Sequence, residues 1–486
     1  MALEWCAKLA QISNQSADGA LLEYYYANAW NNKKKQKSLG ASTDETSQEL
    51  ERRLEEAWAW EQLELQEEIL HLRRAVSHPG FAQISEIRRC QITTNLANTL
   101  SVIGRTIEAQ EYWHRVLNIK PNFGMALGNK GYALFRYALD LYDTGHQLIF
   151  AKFAYNALGE ALSPNALYES DYSGAKSEFK RFHESILSTV GMNAIIRKIS
   201  LDGYDMGTSE EEQSYRKWCL ENCLFLNPLN DLGNLSIANR DNLALPPFET
   251  SSGEPPSFIG LFNQMKQEYV SARWLLYEGL ESDGVHFSDR QVLLYNTLDH
   301  TTNCLAIEKI KATFRIIYSL FDKIAFFLNE YMDLGIKPKD VSFRKVWYEN
   351  HKDKDRNKWV IWKKFNKSRN SGLRGLFWLS KDLFEDEFVN VTEPDARDIN
   401  ALRNSLEHKY LKIHEMLPNQ KNNNLAHSVT RDDFTQKTIR MLKLARAALI
   451  YLTIGMHIED RSRQKGRDQN SVAQTPLGLY DDDRKR

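Results

Sequence analysis

The chain has 486 residues, of which 42% are apolar, enough to build packed cores in about two to four domains. Its 63 lysine and arginine residues nearly balance its 64 aspartate and glutamate residues, which excludes a globally basic nucleic-acid-binding protein but not a local basic patch. Only 24 glycines and 12 prolines are present and aromatic residues are common, which favours a packed helical protein over a β-rich or disordered one.

The cysteines are few and scattered, which indicates a reducing compartment rather than a set of disulfides. They are Cys6, Cys90, Cys219, Cys223 and Cys304. Cys219 and Cys223 lie one helical turn apart, but no second pair at zinc-ligand spacing lies nearby, so we predict no metal and no cofactor. The first residues lack the pattern of a signal peptide, and the most apolar stretch, 316–328, is too short to span a bilayer. We therefore expect a cytoplasmic protein that does not enter a membrane.

Residues 1–89 are assigned to an N-terminal helical region, because Glu, Leu and Trp recur at helical spacing from about Ala41 to Arg74 and predict one or two surface helices. From Cys90 the pattern sharpens into a helix–turn–helix unit with small residues where two helices would cross. Its pattern positions are Leu96, Ala97, Leu100, Gly104, Ala109, Trp113, Val116 and Pro121. This unit resembles a tetratricopeptide (TPR) repeat, with Gly104-Arg105 as the turn between the helices and Pro121 ending the second helix.

A second, degenerate unit follows the first. It is carried by Gly131, Tyr132, Leu134, Ala151, Tyr155, Leu158 and Pro164. Its middle is longer than the TPR pattern allows, which leaves the number of repeats open. We assign 90–225 to TPR-like repeats and 226–257, which is rich in Pro, Asn, Ser and Gly, to a linker.

The C-terminal part, 258–460, is predicted to be a helical bundle, because apolar residues recur there at three-four spacing. The expected helices begin near Phe262 and Ile307 and then run over about 359–384, 394–417 and 434–457. No alternating pattern typical of β-strands is present, so the predicted fold class is all-α. The polar tail 461–486 is predicted to be disordered.

The most informative string, Leu402–Tyr410, lies on the fourth of these helices and carries Arg403, Asn404 and His408. An arginine and a histidine can cleave an RNA phosphodiester without a metal: histidine moves the proton, and arginine stabilises charge on the phosphorus oxygens. Asn404 and His408 are one turn apart and should project together. Arg403 and His408 are about 140° apart around the axis, so they should meet only through the reach of the arginine or across a two-fold axis between two copies.

The same residues have a simpler explanation. Exposed Arg, Asn and His on an amphipathic helix usually form a solvated face. Tyr410 falls on the predicted apolar stripe of this helix, so a place in the core explains it about as well as a functional role.

The order and spacing of Arg403, Asn404 and His408 resemble the signature of the HEPN superfamily, all-α domains many of which are ribonucleases. The resemblance implies that His408 acts as general base on the ribose 2′-hydroxyl or as acid on the leaving 5′-oxygen. It implies that Arg403 stabilises the transition state and that Asn404 orients the histidine or the phosphate. The implied products are a 2′,3′-cyclic phosphate and a 5′-hydroxyl.

Further expectations follow from the same resemblance. Many HEPN domains carry an acidic residue on an earlier helix, and Asp322 is the candidate here, with an ordinary boundary charge as the alternative. Tyr410 matches a motif form found in HEPN toxins that are silenced when an antitoxin adenylylates that tyrosine. The implied protein is a homodimeric toxin or antiviral-defence effector, regulated by an antitoxin or trigger protein through the TPR-like region. The first alternative is a HEPN/TPR scaffold that binds RNA or a nucleotide without cleaving it, and the second is an interaction scaffold with no nucleic-acid role.

A basic and aromatic segment, 337–374, precedes the motif and could bind the substrate. Cations suit phosphates, and flat rings suit the unstacked bases of single-stranded RNA. The candidate RNA-binding residues are Lys358, Lys363, Lys364, Lys367, Arg369 and Trp362. The alternative is a solvated loop whose rings fill the core.

Overall fold

The computed structural model describes Leu3 and residues 17–39, 47–169, 173–248, 253–349, 359–383, 391–416, 424–464 and 477–485. Helices provide almost all the regular structure of these residues, so the all-α prediction is confirmed. The described strands form one small two-stranded sheet.

The N-terminal half consists of helices that pack as neighbouring hairpins. Its helices are α1 (Ala17–Leu39), α2 (Ser47–Trp58), α3 (Leu63–Ser77), α4 (Glu86–Val102), α5 (Thr106–Ile119), α6 (Gly124–Asp140), α7 (Thr144–Leu162), α8 (Ser173–Val190), α9 (Met192–Ile196) and α10 (Glu210–Glu221). Helix α4 packs on α5 and α6 packs on α7, as expected for repeat-like helical hairpins.

The C-terminal half surrounds two long helices. Its elements are α11 (Ser257–Glu281), α12 (Leu305–Tyr331), α13 (Lys363–Asn366), α14 (Ser371–Ser380), α15 (Ala396–His408), β1 (Tyr410–His414), β2 (Ala426–Thr430) and α16 (Arg431–Gln464). The predicted apolar stripe of α12 is buried along its whole length, which explains why α12 packs on both α11 and α16.

Two of the predicted C-terminal helices are wrong in extent. The helix expected over 359–384 is instead α13 and α14, because Asn370 caps the start of α14 by accepting a hydrogen bond from the Leu373 amide, 3.0 Å away. The helix expected over 394–417 ends at His408. Beyond it the chain forms β1, which pairs in parallel with β2.

This strand changes the place of Tyr410. Tyr410 is the first residue of β1, lies opposite Ala426 and is half-buried. The prediction that it lies on the apolar stripe of a helix is therefore wrong. Leu411 and Ile413 are buried while Tyr410 and Lys412 are half-buried, an alternation too short to recognise in the sequence.

The first part of the predicted linker, 226–248, is packed into the fold. Arg446 on α16 pairs with Asp231 at 2.6 Å, and Arg273 on α11 pairs with Asp241 at 2.7 Å. Both arginines are almost fully buried. They anchor this segment to the C-terminal helices, so it is not a solvated connection between two bodies.

A buried ion cluster joins the N-terminal hairpins to the C-terminal helices. Asp382, which follows α14, is fully buried and lies 2.6 Å from the guanidinium groups of both Arg73 and Arg105. Burial alone would raise the pKa of Asp382, but the two guanidinium groups outweigh it and hold this pKa far below its usual range. Beside the cluster, the Tyr451 hydroxyl on α16 donates to Glu108 on α5 at 2.7 Å.

The α4–α5 turn and helix α14 approach each other so closely that each has a glycine at the contact. Gly104, in the α4–α5 turn, has a φ of 88°, and a Cβ at this position would collide with the Ser371 carbonyl oxygen on α14. A Cβ at Gly375 would lie 2.6 Å from the Gly104 carbonyl oxygen. The turn that the sequence predicts between two repeat helices is therefore also a contact with the C-terminal half.

Within the described residues, the span Arg431–Arg463 of α16 is long and apolar enough to cross a membrane. Its apolar window is 83% buried inside the protein, and core helices of soluble proteins pass the same test. The helix reaches Gln464, so the first residues of the predicted disordered tail are helical. Residues 465–476 of that tail lie outside the described residues.

We predict that Asp382→Ala destabilises the whole protein, because it leaves Arg73 and Arg105 buried without their shared carboxylate. The expected loss is about 3–5 kcal/mol, the usual cost of breaking a buried ion pair from one side. Urea denaturation followed by tryptophan fluorescence measures it. The matched control, Glu178→Ala, removes an exposed pair with Arg181 and should cost less than about 1 kcal/mol. Equal losses in the two variants would refute the structural role of the cluster.

Candidate active site

An open hollow lies between α12 and α15, with a volume of about 250 Å³. We call it the Arg–His hollow. It is lined by Phe314, Arg315, Tyr318, Ser319 and Asp322 from α12 and by Arg403, Leu406, Glu407 and His408 from α15.

The apolar pattern of each helix explains which of its residues form a wall of the hollow. On α12, Arg315, Tyr318 and Asp322 recur at three-four spacing beside the buried stripe, so they share one face. On α15, Leu402 and Leu406 are buried, which turns their polar neighbours towards the hollow and the solvent. Because α15 ends at His408 and the chain continues as extended backbone, the His408 side chain is exposed.

Arg403 is held by an aromatic ring and faces a carboxyl group. Its guanidinium carbon lies 4.9 Å from the centre of the Tyr318 ring, a cation–π contact. Burial raises the pKa of Asp322, while the hydrogen bond from the Phe343 amide, 3.3 Å away, and the charge of Arg403 oppose this rise. Asp322 and Arg403 therefore interact electrostatically across the hollow.

The rim carries a second arginine that the sequence analysis missed. Arg315 Nε lies 3.5 Å from a Glu407 carboxylate oxygen, and its guanidinium also donates to the Leu406 carbonyl oxygen. The sequence does contain a signal for this residue, since Arg315 lies two helical turns before Asp322 on the same face. Both side chains of the pair are about 40% exposed, so the pair contributes little to stability.

The structure brings some of the predicted site residues together and separates others. Arg403, His408 and Asp322 line one hollow within a single chain, so a second copy is not needed to unite the arginine and the histidine. Asn404 lines a different hollow on the opposite flank of α15. Tyr410 lies on β1, with the Lys412 ammonium 5.4 Å from its ring centre. Asn404 and His408 are one turn apart on α15 but line different hollows.

The predicted RNA-binding segment is partly core. Trp347, Tyr348 and Phe365 are buried, so they cannot stack on bases. Lys364 donates to the Met332 carbonyl oxygen at 2.6 Å. Met332 directly follows α12, ten residues after Asp322, so Lys364 lies about 15 Å along the helix from Asp322.

The other candidates of this segment differ in exposure. Lys363 and Lys367 are exposed, and Trp362 is half-buried. Arg369 is exposed with its guanidinium carbon 4.2 Å from the centre of the Trp58 ring. Lys358 lies outside the described residues. An RNA-binding role for these cations stays a prediction, and the alternative accounts for the buried rings.

Residues 249–459 match the family model of the LA2681-like HEPN domain. The match includes both walls of the Arg–His hollow, so this part of the chain is a HEPN domain. The family indicates a nuclease or other RNA-related role in general. No curated protein and no solved structure matched the chain. Among the described residues, no group of three or more His, Cys, Asp or Glu side chains is arranged to hold a metal.

We predict that Asp322→Asn does not destabilise the protein at neutral pH. The raised pKa of Asp322 means that the fold disfavours its charged form, whereas an asparagine carbonyl can still accept the hydrogen bond from Phe343. The melting temperature of the variant at pH 7.5 should equal or exceed that of the wild type. This difference should shrink as the pH falls through the raised pKa, where Asp322 becomes neutral in the wild type as well.

The control for this experiment is Asp283→Asn, an exposed carboxylate of the same domain, whose melting temperature should follow the wild type at each pH. A melting temperature of Asp322→Asn several degrees below the wild type at pH 7.5 would show that the Asp322 charge stabilises the fold, contrary to this reading.

Proposed function

We propose that the HEPN domain is a metal-independent endoribonuclease and that the Arg–His hollow is its active site. The observation that carries this proposal is the meeting of Arg403 and His408 from α15 with Asp322 from α12 in one open hollow. The spacing of the Arg403–His408 string and the family of the domain support the same chemistry.

In this reaction His408 takes the proton from the ribose 2′-hydroxyl. The 2′-oxygen then attacks the phosphorus, the bond to the 5′-oxygen breaks, and the leaving oxygen takes up a proton. The products are a 2′,3′-cyclic phosphate and a 5′-hydroxyl. His408 is exposed at the end of α15, so an RNA strand can reach it from solvent.

Arg403 would stabilise the negative charge that builds on the phosphate oxygens, because its planar guanidinium matches two of these oxygens at once. The Tyr318 ring restricts the conformations of this side chain. Arg315 provides a second cation at the rim. Its exposed pair with Glu407 is weak enough for a phosphate to replace the carboxylate.

We assign Asp322 a positioning role, since it acts on Arg403 electrostatically and is partly enclosed between α12 and the chain at Phe343. Asn404 lies on the other flank of α15 and is better placed to contact a phosphate than to orient His408.

The regulation predicted from the sequence is retained as part of the proposal. A second copy facing the hollow would exclude water from it, which favours a homodimer. The TPR-like helices contact α14 and α16 directly through Gly104 and Glu108, so an antitoxin or trigger protein bound to them could act on the HEPN core. Tyr410 is two residues from His408, where adenylylation would obstruct the hollow. A role in growth arrest or antiviral defence follows from the resemblance alone.

Incubation of the purified protein with labelled RNA in EDTA tests the proposed activity. The wild type should release 2′,3′-cyclic phosphate ends, and His408→Ala should lower the rate by about 10²–10⁴-fold. Arg403→Lys keeps the charge but loses the fork, and should lower the rate by about 10²-fold or more. The control His286→Ala removes an exposed histidine of the same domain that does not line the hollow.

An unchanged rate in His408→Ala would refute the assigned chemistry. RNA binding without cleavage by the wild type would favour the alternative, a scaffold that binds RNA or a nucleotide. Sedimentation velocity tests the dimer separately: a strictly monomeric protein that still cleaves RNA would contradict it.

A further inference from the structure

The opposite flank of α15 carries a second hollow, with a volume of about 230 Å³, between this helix and β2. We call it the α15–β2 hollow. The polar side chains that line it are Arg397, Asn400, Asn404, Ser405, Lys409 and His427. The site described above uses none of these groups except Asn404, which is proposed to contact a phosphate.

Local sequence explains why this hollow exists. Arg397, Asn400 and Asn404 recur at three-four spacing, so they share one flank of α15. Ala401 and Ala426 leave space because neither side chain extends beyond Cβ. The pairing of Tyr410 with Ala426 brings His427 alongside the end of the helix, where Lys409 has extended backbone.

The charge of this hollow differs from that of the Arg–His hollow. Arg397 and Lys409 are exposed cations, and no carboxylate is among the described side chains that line it. Burial lowers the pKa of His427, so the positive charge at neutral pH comes from Arg397 and Lys409. The carboxylates nearest His427, Asp398 and Asp433, act on it from outside the lining.

The donors suit a phosphate. A guanidinium and an ammonium group offer charge-assisted hydrogen bonds, and the amides of Asn400 and Asn404 add neutral ones. Of the residues that the structure describes, no Phe, Tyr or Trp lines the hollow, so these residues offer a base no ring on which to stack. Its volume also lies below the roughly 300–1,000 Å³ of pockets that enclose a whole small molecule.

We propose that the α15–β2 hollow binds a phosphodiester of the RNA strand next to the one that is cleaved, an inference that rests on the proposed function. Helix α15 is about 10 Å across with its side chains, and the two hollows lie on its opposite flanks. His408 and Lys409 are consecutive residues at its end. A strand that passes this end contacts the Arg–His hollow through His408 and the α15–β2 hollow through Lys409.

The test compares Arg397→Gln/Lys409→Gln with the control Lys180→Gln/Lys217→Gln, which removes two exposed cations of the N-terminal half. The probe is a fluorescent RNA with 2′-O-methyl groups throughout, which no protein can cleave by 2′-hydroxyl attack. In a salt titration, the Arg397/Lys409 variant should lose about 0.7 from the slope of log K against log salt, the value expected for one phosphate contact. We expect its Kd at 100 mM salt to rise about 10-fold, and that of the control to stay within about twofold.

All four substituted residues are exposed, so the Arg397/Lys409 variant and the Lys180/Lys217 control should both keep the melting temperature of the wild type. A slope equal to that of the control overturns the subsite, even if the wild type cleaves RNA. A reduced slope in a protein that fails to cleave unmodified RNA supports the subsite and refutes only the ribonuclease. Adenosine monophosphate that competes as strongly as the RNA overturns the assignment to a strand.

Discussion

The fold depends on one buried carboxylate. Asp382 cannot be charged in the protein interior without partners, and its partners, Arg73 and Arg105, come from helices of the N-terminal half. The fold must therefore bring together the end of α14, helix α3 and the start of α5. Otherwise Asp382, Arg73 and Arg105 would be buried without partners of opposite charge. The close contact at Gly104 and the Tyr451–Glu108 hydrogen bond form along the same boundary. The repeat-like helices and the HEPN domain consequently share one core.

This arrangement separates the groups that stabilise the protein from those available to a ligand. The buried charges of Asp382, Arg446 and Arg273 are paired inside the protein. In the Arg–His hollow, Arg315 and Glu407 are paired only at the surface, where solvent screens the interaction and a phosphate can compete for the arginine. Asp322 is intermediate, because burial disfavours its charge while Arg403 favours it. Carboxyl groups whose pKa is shifted in this way are common at functional sites.

Helix α15 organises both proposed contacts with RNA. Its buried residues fix its rotation against α12, and its polar residues then fall on two flanks with different charge. The hollow on the flank facing α12 combines cations with Asp322 and Glu407 and contains His408, the residue proposed to transfer the proton. Among the described residues, the lining of the hollow on the other flank has cations and amides but no carboxylate. The first composition suits chemistry on a phosphate, and the second suits binding alone.

The sequence by itself determined the helical class, the buried stripe of α12, and the Arg403–His408 string, because helical periodicity records which face of each segment is apolar. It also singled out Asp322, a charge that interrupts that stripe. Only the tertiary structure decided which groups meet. The pairing of β1 with β2, the ion pairs that anchor 226–248 to Arg446 and Arg273, and the hollow that Asn404 lines all depend on residues distant in the chain. Local spacing contains no information about such partners, since a buried charge or a short strand is stabilised only by what packs against it.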